Sequence, residues 1–304
     1  MSTTPGAVSP AIDICIPHWG EPDYLREAIA SVIAQTDPRW HLTIIDDAYP
    51  GDAARELVAS FDDSRIAYVK KEHNEGITAN FRSCVAAAST GLVTVMGNDD
   101  QLLPEYVATI LRASAVAPEA DIIQPGVRVI DAEGAPAATL VDSVKQRLLR
   151  PRATRPVLLA GDRLGAGLMH GDWLYWPSLT FRTEAIRAFS FRDEFAVIQD
   201  LALLMDMFFA GKRLLVVPDE VFAYRRHDES ASSLLLLDGS RFAGERSFFR
   251  LAASLAQRHR WPRTRRAARL HLTSRAHALS LAPGALLRGK LAAVGRMLRH
   301  AFGP

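Results

Sequence analysis

The chain has 304 residues, of which 48% are hydrophobic and 23% charged, with 19 Gly and 17 Pro. This composition is that of a globular protein and excludes collagen-like and disordered classes. No apolar run approaches the roughly 18–20 residues that span a bilayer, and the first ten residues lack the basic and apolar regions of a signal peptide. The two cysteines, Cys15 and Cys84, lie among apolar residues, so we expect buried, reduced thiols in a cytoplasmic protein.

Charge is unevenly distributed along the chain, although the net charge is only +2. Residues 241–304 contain fourteen Lys and Arg but a single acid, Glu245, and the rest of the chain is net negative. A basic end on an acidic body indicates an anionic contact, which is a membrane surface, a nucleic acid or the body itself.

The first 125 residues alternate between strand and helix patterns. Short apolar runs predict strands over residues 12–16, 42–45, 66–69, 92–96 and 121–124. Helical patterns lie between these runs, beginning at Pro22, 52, 77 and Pro104. This alternation predicts an α/β fold with a mostly parallel, doubly wound sheet flanked by helices.

Beyond residue 125 the pattern is less regular. A hairpin is predicted around Glu133-Gly134, and the glycines at 161, 165, 167 and 171 predict a mobile loop over 140–176. The following patterns predict a strand over 178–181, a helix over 199–210, and short strands over 214–217 and 221–224. From about residue 235 the pattern is helical, with breaks expected at Pro262 and Pro283.

Three polar clusters follow predicted strands, where ligands bind in doubly wound sheets. They are Pro17–Glu21, Asp46-Asp47 and Asn98-Asp99-Asp100. Carboxylate pairs at neighbouring strand ends repel each other unless a cation lies between them, and Mg²⁺ or Mn²⁺ with a diphosphate suits such a site. The alternative is that these acids only cap the helices that follow. Glycine-rich dinucleotide, P-loop and nucleophile-elbow motifs are absent, which argues against dehydrogenases, P-loop NTPases and α/β-hydrolases.

Several of these segments resemble the family 2 glycosyltransferases, which have the GT-A fold. Ile14–Pro17 and the helix ending at Gln35-Thr36 resemble the opening of that family. Its Val-Val-Asp-Asp, Asn-x-Gly and acidic metal motifs are similar to Ile44–Asp47, Asn74–Gly76 and Gly97–Pro104. Its Glu-Asp and Tyr-Arg-x-His-x-x-Ser motifs are similar to Gln199-Asp200 and Tyr224–Ser230, so the resemblance covers residues 11–232.

This chain departs from the family pattern at three places. His18-Trp19-Gly20 stands where the family has Thr-Tyr-Asn, which affects base recognition. Gly97 occupies the position of the first acid of the metal motif, and Gln199 replaces a Glu.

The resemblance implies an inverting transfer of sugar from a nucleoside-diphosphate sugar to a hydroxyl of a saccharide or lipid-linked saccharide, in cell-envelope polysaccharide biosynthesis. It implies that Asp200 is the general base, with helix capping as the alternative role. Asp99 and Asp100 would hold Mn²⁺ or Mg²⁺, and His227 would be a further metal ligand or a diphosphate contact. The donor-binding residues would be Pro17, Glu21, Asp47, Asn74 and Asp99. Trp173 and Trp176 suit the acceptor side, because flat aromatic faces pack on sugar rings, or else they belong to the core.

The resemblance also implies a domain division. Residues 1–235 would form the catalytic domain, with a nucleotide-binding half over 11–125 and an acceptor-binding half over 126–235. Residues 236–304 would form a basic helical extension.

The end of the extension has an amphipathic pattern. Its apolar face contains Leu287, Leu291, Val294, Leu298 and Phe302, with Arg288, Arg296, Arg299 and His300 on or near the other face. This pattern predicts peripheral attachment to an anionic membrane, on the inner face of the cell membrane. The alternative is packing on the catalytic body.

Two other functions are compatible with parts of the sequence. A sugar-nucleotide nucleotidyltransferase has a similar acidic sheet edge, but its glycine-rich first loop is absent here. A non-catalytic sugar-binding protein with a GT-A-like fold would not need Asp99, Asp100, Asp200 and His227 together. Nucleic acid is not expected as a partner, because aromatic and basic residues do not alternate as they do in RNA-binding motifs.

Overall fold

The computed structural model describes residues 11–137, 142, 149–151, 153–195, 198–226 and 241–303. The chain forms two compact units. The first comprises Met1–Arg128, Trp176–Ala188 and Val217–Tyr224, and the second comprises Val129–Tyr175, Phe189–Val216 and Arg225–Pro304.

The first unit is built on a mixed β-sheet. The strands described in the two units together are β1 (Ile12–His18), β2 (Trp40–Asp46), β3 (Ile66–Lys70), β4 (Leu92–Val95), β5 (Gln101–Leu102), β6 (Ile122–Ile130), β7 (Val157–Leu159), β8 (Thr180–Arg182) and β9 (Leu214–Arg225). The order in this sheet is β3-β2-β1-β4-β8-β6-β9-β5. The β1–β2, β1–β4 and β2–β3 pairs are parallel, whereas β4–β8, β6–β8 and β5–β9 are antiparallel. The predicted α/β fold is confirmed, and its parallel part is the four strands nearest the N-terminus.

Helices of the first unit cover the sheet with their apolar residues. They are α1 (Asp23–Ile33), α2 (Ala53–Ala59), α3 (Ile77–Ala87), α4 (Tyr106–Val116) and α6 (Thr183–Arg187). In α1 the 3.6-residue period predicts a core-facing stripe of Leu25, Ala28, Ile29, Val32 and Ile33. The first four of these side chains are fully buried, and Ile33 is half-buried. Cys15 and Cys84 are buried free thiols, as predicted.

The second unit is mainly helical. It contains β7, which pairs antiparallel with Leu214–Val216 of β9, and α5 (Gly161–His170), α7 (Gln199–Phe209), α8 (Arg241–Arg258), α9 (Pro262–Leu270), α10 (Leu272–Leu287) and α11 (Leu291–Phe302). The small side chains of α10 and α11 allow close packing around Phe242, in a cluster that contains Ala278, Ala285, Ala293 and Met297.

The mobile loop predicted over 140–176 is wrong at residues 161–170, which form helix α5. Leu164, Leu168 and Met169 are buried on one side of that helix. Gly165 is required by close packing, since a Cβ there would lie 2.6 Å from Oγ1 of Thr264. The glycines of this stretch therefore do not indicate mobility.

Two further local predictions need correction. The two short strands predicted over 214–224 form the single strand β9, which continues through Pro218. The break predicted at Pro283 is also wrong, because α10 continues through this proline to Leu287. The chain instead turns at Gly289, whose φ of 69° suits a residue without a Cβ.

The C-terminal helices group with residues 129–175 and 189–216 in the second compact unit. The domain boundary at residue 235 stays a prediction. Within the described residues, no helix is both long enough and apolar enough to span a bilayer.

Candidate functional site

The carboxyl ends of β1, β2 and β4 lie at one edge of the first unit's sheet. The parallel register pairs His18 with Asp46, and the backbone N–H of Asp47 donates to the carbonyl of His18 at 2.9 Å. The N–H of Met96, just after β4, donates to the carbonyl of Cys15 at 2.9 Å. Short parallel strands therefore bring two of the three predicted polar clusters together and place the third directly after β4.

Asp47 is buried and organises the segment before α3. Its carboxylate accepts hydrogen bonds from the backbone N–H groups of Glu75 at 3.1 Å and Gly76 at 2.8 Å. Lys71 Nζ lies 3.0 Å from the same carboxylate. A carboxylate has about four lone-pair sites, so these contacts engage most of its capacity. Asp47 therefore positions the backbone of the Asn-x-Gly segment.

Lys71 was not predicted as part of the site. Its Nζ also lies 2.8 Å from Glu75 Oε2. Burial alone would lower the pKa of Lys71, but the neighbouring carboxylates of Glu75 and Asp47 outweigh it and raise the pKa, so the ammonium stays charged. Lys71 follows directly after β3. The rule that ligand-binding residues lie at the carboxyl ends of parallel strands therefore applies to Lys71 as well as to the acidic clusters.

Asn74 and Gly76 shape the same segment. Asn74 Oδ1 accepts a hydrogen bond from the N–H of Gly76 at 2.9 Å. Gly76 has a φ of 86° and precedes the first residue of α3, a conformation that favours glycine.

Glu21 and Asp46 are linked through tyrosines that the sequence did not single out. Asp46 accepts hydrogen bonds from the Tyr49 N–H at 2.7 Å and from the Tyr68 hydroxyl. The Tyr49 hydroxyl donates to Glu21 at 2.7 Å. Burial and the hydrogen bond to Asp46 raise the pKa of Tyr68, so its hydroxyl remains a donor. Pro17 lies next to this group, paired with Ile45 in the sheet register.

His18 and Trp19 replace the residues that the family has after its first proline. His18 is fully buried, and its Nδ1 lies 3.5 Å from the Asn98 side chain. Burial lowers the pKa of His18, although Asp46 and Gly20 oppose the shift, so the ring is neutral at pH 7. Trp19 is 58% exposed and packs edge-on against Tyr49, with ring centroids 5.6 Å apart. The Trp19 ring is therefore exposed at the end of β1, and its contact with the Tyr49 ring holds it in place.

Asp99 and Asp100 converge at Gly97. A Cβ on Gly97 would lie 2.6 Å from Asp100 Oδ2 and 2.7 Å from Asp99 Oδ1, so both oxygens point to one place. Two carboxylates in that arrangement form a hard oxygen donor set, which suits Mg²⁺ or Mn²⁺ with diphosphate and water completing the shell. Among the residues that the structure describes, no group of three or more His, Cys, Asp or Glu side chains could hold a metal.

In the second unit, Asp200 lies in the first turn of α7. Its Oδ1 accepts the backbone N–H of Leu201 at 2.8 Å, and the positive end of the helix dipole favours the ionised carboxylate. Gln199 beside it is only 5% exposed. A Glu at this position would bury a charge, so the neutral amide is the less costly residue here.

The Tyr-Arg-Arg segment at the end of β9 is tied into the second unit. Arg226 donates to the buried Asp142 through Nε at 3.1 Å and Nη2 at 2.8 Å. The Tyr175 hydroxyl donates to the same carboxylate at 2.9 Å. Arg225 Nη1 donates to the carbonyl oxygens of Asp131 and Ala132. His227 lies outside the described residues.

Trp173 and Trp176 are core residues in this structure, with 2% and 7% of their surface exposed. Trp176 stacks on Phe81 and packs against Phe181 in the first unit, with centroid separations of 5.9 and 5.2 Å. This burial favours the core alternative and leaves little of either indole for an acceptor sugar.

Comparison with known proteins agrees with this geometry. Residues 13–159 match the family model described as glycosyl transferase family 2. The chain is 27% identical over 104 residues to WcaA of Escherichia coli K12, a glycosyl transferase named for a suggested role in colanic acid biosynthesis. It is also 27% identical over 94 residues to TuaG of Bacillus subtilis 168, named for a suggested role in teichuronic acid biosynthesis. These alignments cover 34% and 30% of this chain and 37% of each relative, so the chain matches about a third of their length.

Solved structures extend the likeness in fold to nearly the whole chain. The S. aureus TarS fragment 1–349 matches with a TM-score of 0.65 and 13% identity, covering 96% of this chain and 81% of that fragment. The same fragment in complex with UDP-GlcNAc matches with a TM-score of 0.63 and 13% identity, covering 96% and 90%. The chain thus has the GT-A fold, and its residues 13–159 match the model of glycosyl transferase family 2.

Proposed function

We propose that this protein is an inverting glycosyltransferase that moves a sugar from a nucleoside-diphosphate sugar to an acceptor hydroxyl. The observation that carries the proposal is the convergence of Asp99 and Asp100 at Gly97, directly after β4. The family match and the UDP-GlcNAc complex of TarS support a nucleotide-sugar donor. The names of WcaA and TuaG favour an acceptor in envelope polysaccharide synthesis.

Donor binding is assigned to the first unit. Asp47 and Lys71 fix the Asn74–Gly76 segment, and Pro17 and Glu21 border the same strand end. The exposed Trp19 ring offers a flat apolar face of the kind on which a nucleobase stacks. Asp99 and Asp100 would hold a divalent cation together with the diphosphate, and His227 is a further candidate ligand. When bound, the cation supplies positive charge that offsets the charge on the leaving diphosphate.

Asp200 is assigned as the general base. Its carboxylate takes the proton from the acceptor hydroxyl, whose oxygen forms a bond to the anomeric carbon of the donor. The bond from that carbon to the diphosphate oxygen breaks, and the nucleoside diphosphate leaves with the electron pair. Attack from the face opposite the leaving group inverts the configuration at the anomeric carbon.

The donor assignment is tested by calorimetry with UDP and Mn²⁺. We expect saturable binding that is lost with EDTA and weakened at least tenfold in D99N and D100N. Asp62→Asn is the matched control, because Asp62 is an exposed acid of the same unit with a positive φ that Asn tolerates. Equal UDP affinity with Mn²⁺ and with EDTA would contradict the metal assignment.

The base assignment is tested with D200N, which keeps the size of the side chain but cannot accept a proton at neutral pH. We expect sugar transfer to fall by roughly 10²–10⁴-fold, with UDP affinity unchanged. Glu194→Gln, an exposed acid of the same unit (59% side-chain exposure), should leave transfer unchanged. Transfer by D200N within a few-fold of the wild-type rate would identify another base.

The C-terminal helices are proposed to attach the protein to an anionic membrane surface. Four of the predicted apolar residues are exposed, with Leu287 at 89%, Phe302 at 74%, Leu291 at 69% and Leu298 at 42%. Val294 instead packs against the cluster around Phe242. The cations Arg288, Lys290 and Arg299 are exposed in the same region. The other side of α11 is buried within the second unit, so packing and membrane contact use different faces of one helix.

A further inference from the structure

The second unit contains an arginine-lined cavity that the proposed transfer reaction does not use. It has a volume of about 360 Å³ and lies among α8, α9 and the start of α10. Its charged and aromatic lining consists of Arg246, Phe249, Arg250, Arg269, His271 and Arg275. None of the described residues that line it is acidic.

Arg246 lacks a compensating charge in this cavity. Its Nη1 is buried and has no hydrogen-bond partner among the described residues. Burial, together with repulsion from Arg250 and Arg299, lowers the pKa of Arg246. A buried guanidinium N–H without a partner, beside a second arginine of the same cavity, is stabilised by an anion placed between the two guanidinium groups.

Nothing on the surrounding helices supplies that anion. Glu245 is the one acid in residues 241–304. Its carboxylate accepts a hydrogen bond from Ser274 and lies 3.9 Å from His300 Nε2. It does not line the cavity.

Other groups of the cavity are held rigidly. Arg275 donates to the backbone carbonyls of Ala301 and Gly303 at 3.0 Å each, and its Nε lies 3.1 Å from His271 Nε2. The His271 ring stacks on Phe249, with centroids 4.6 Å apart and an interplanar angle of 10°. The cavity therefore has a fixed floor, and a ligand loses little free energy in ordering it.

We propose that this cavity binds a phosphate group, as a phosphate ester or a diphosphate. Guanidinium groups donate planar pairs of hydrogen bonds that match phosphate oxygens. The cavity is also large enough for a diphosphate. Two sources share this chemistry, a soluble phosphate compound and the headgroup of a phospholipid.

The test is calorimetric titration of the full chain with inorganic pyrophosphate in EDTA, which removes the divalent cation proposed for the first unit. We expect saturable binding near one site per chain and a rise in melting temperature with pyrophosphate. R246Q/R269Q should weaken the affinity at least tenfold and abolish that rise.

The matched control is R258Q/R266Q, because Arg258 and Arg266 are exposed residues of the same two helices and do not line the cavity. It removes the same charge and should change the affinity less than twofold. Arg269 is exposed, so a loss of pyrophosphate affinity in R269Q alone would not come from misfolding. No saturable binding by the wild type, or equal weakening in both double variants, overturns the proposal.

Vesicle flotation separates the two sources. Attachment to vesicles that contain phosphatidic acid, lost in R246Q/R269Q and displaced by pyrophosphate, assigns the site to a lipid headgroup. Vesicle attachment that R246Q/R269Q leaves unchanged, while its pyrophosphate affinity falls, assigns the site to a soluble phosphate compound. Both results support a phosphate site and neither depends on the sugar-transfer activity.

Discussion

The positions of its neighbours explain why residue 97 is a glycine. The family pattern has an acid at this position, and its absence looks in the sequence like a loss of a metal ligand. In the structure both Asp99 and Asp100 fill the space that a side chain at residue 97 would occupy. The glycine at position 97 therefore leaves the space in which the carboxylates of Asp99 and Asp100 come together.

Substitution of this glycine tests that explanation. G97A places a Cβ within 2.7 Å of two carboxylate oxygens, so both must move apart. We expect UDP binding in the presence of Mn²⁺ to weaken at least tenfold by calorimetry, with circular dichroism unchanged. Gly91→Ala is the control, because no heavy atom lies within 4 Å of its Cβ position. Wild-type UDP affinity in G97A would show that this arrangement of the two acids is not needed.

Asp47 and Lys71 form a buried ion pair whose loss should affect stability. D47N removes the charge that faces the Lys71 ammonium, whose side chain is only 12% exposed. We expect the free energy of unfolding to fall by about 1–3 kcal/mol, measured by urea denaturation. The double variant D47N/K71M removes both charges and should recover part of this loss. No recovery would place the effect in the backbone hydrogen bonds to residues 75 and 76.

At the residue scale, the sequence predicted the position of most polar groups but not their partners. Asp46, Asp47, Asp99 and Asp100 were located by the rule that ligands bind at the carboxyl ends of parallel strands. Lys71, Tyr49 and Tyr68 were missed, because contacts between residues 20 or more positions apart depend on the strand register.

At the element scale, α5 and α9 show why glycine was a poor guide to mobility. Asp162 accepts the backbone N–H groups of Arg263 at 3.0 Å and Thr264 at 2.8 Å, so α5 caps the start of α9. Burial would raise the pKa of Asp162, but these hydrogen bonds outweigh it and lower the pKa. Gly165 then permits close approach of Thr264. The sequence shows four glycines and does not show that a second helix packs against them.

Two glycines of α5 make a matched pair for a stability test. G165A puts a Cβ 2.6 Å from Thr264 Oγ1, and we expect about 1–3 kcal/mol of destabilisation from overpacking. G167A meets only Trp173 Nε1 at an ordinary 3.7 Å, so helix propensity should stabilise it by up to about 1 kcal/mol. Urea denaturation measures both values. A G165A variant as stable as G167A would show that close helix contact does not require the glycine.

The boundaries of helices and strands also depend on tertiary packing. Helix α7 begins at residue 199 as predicted and ends one residue before the predicted end. Helix α1 begins one residue after Pro22 and ends at Ile33, two residues before the predicted end at Gln35-Thr36. Errors occur at Pro218 and Pro283, where strand and helix continue through a residue that usually interrupts them. Tertiary packing supplies the stability that the local sequence lacks at these positions.

At the scale of the whole molecule, buried histidines predict how stability depends on pH. Burial lowers the pKa of His18 and His271, and lowers that of His300 to about 4. The unfolded chain therefore binds more protons than the folded chain between about pH 6.5 and 4, so stability is present above pH 6.5 and is lost as the pH falls through this range.

We expect urea unfolding midpoints to decrease as the pH falls from 6.5 to 4, with His300 contributing at most about 3 kcal/mol. H300Q should flatten this dependence. His73→Gln should not, because that side chain is 75% exposed. A midpoint in H300Q that falls with pH as steeply as in the wild type would contradict the role of this histidine.

The charge asymmetry and the exposed leucines together predict salt-dependent attachment to anionic vesicles. The exposed side chains lie on α10 and α11, whose other residues pack in the second unit, so single substitutions test the surface without uncovering the core.

Burying a large apolar side chain in lipid stabilises attachment by about 1.5–3 kcal/mol. L287Q and F302Q should each weaken partitioning into phosphatidylglycerol vesicles about tenfold by flotation, whereas Val116→Gln, at a 74% exposed position of the first unit, should not. Attachment should also weaken as salt shortens the Debye length from ~10 Å at 0.1 M to ~3 Å at 1 M. Attachment that is insensitive to salt and to both substitutions would indicate that the arginines contact the acidic body of the protein instead of a membrane.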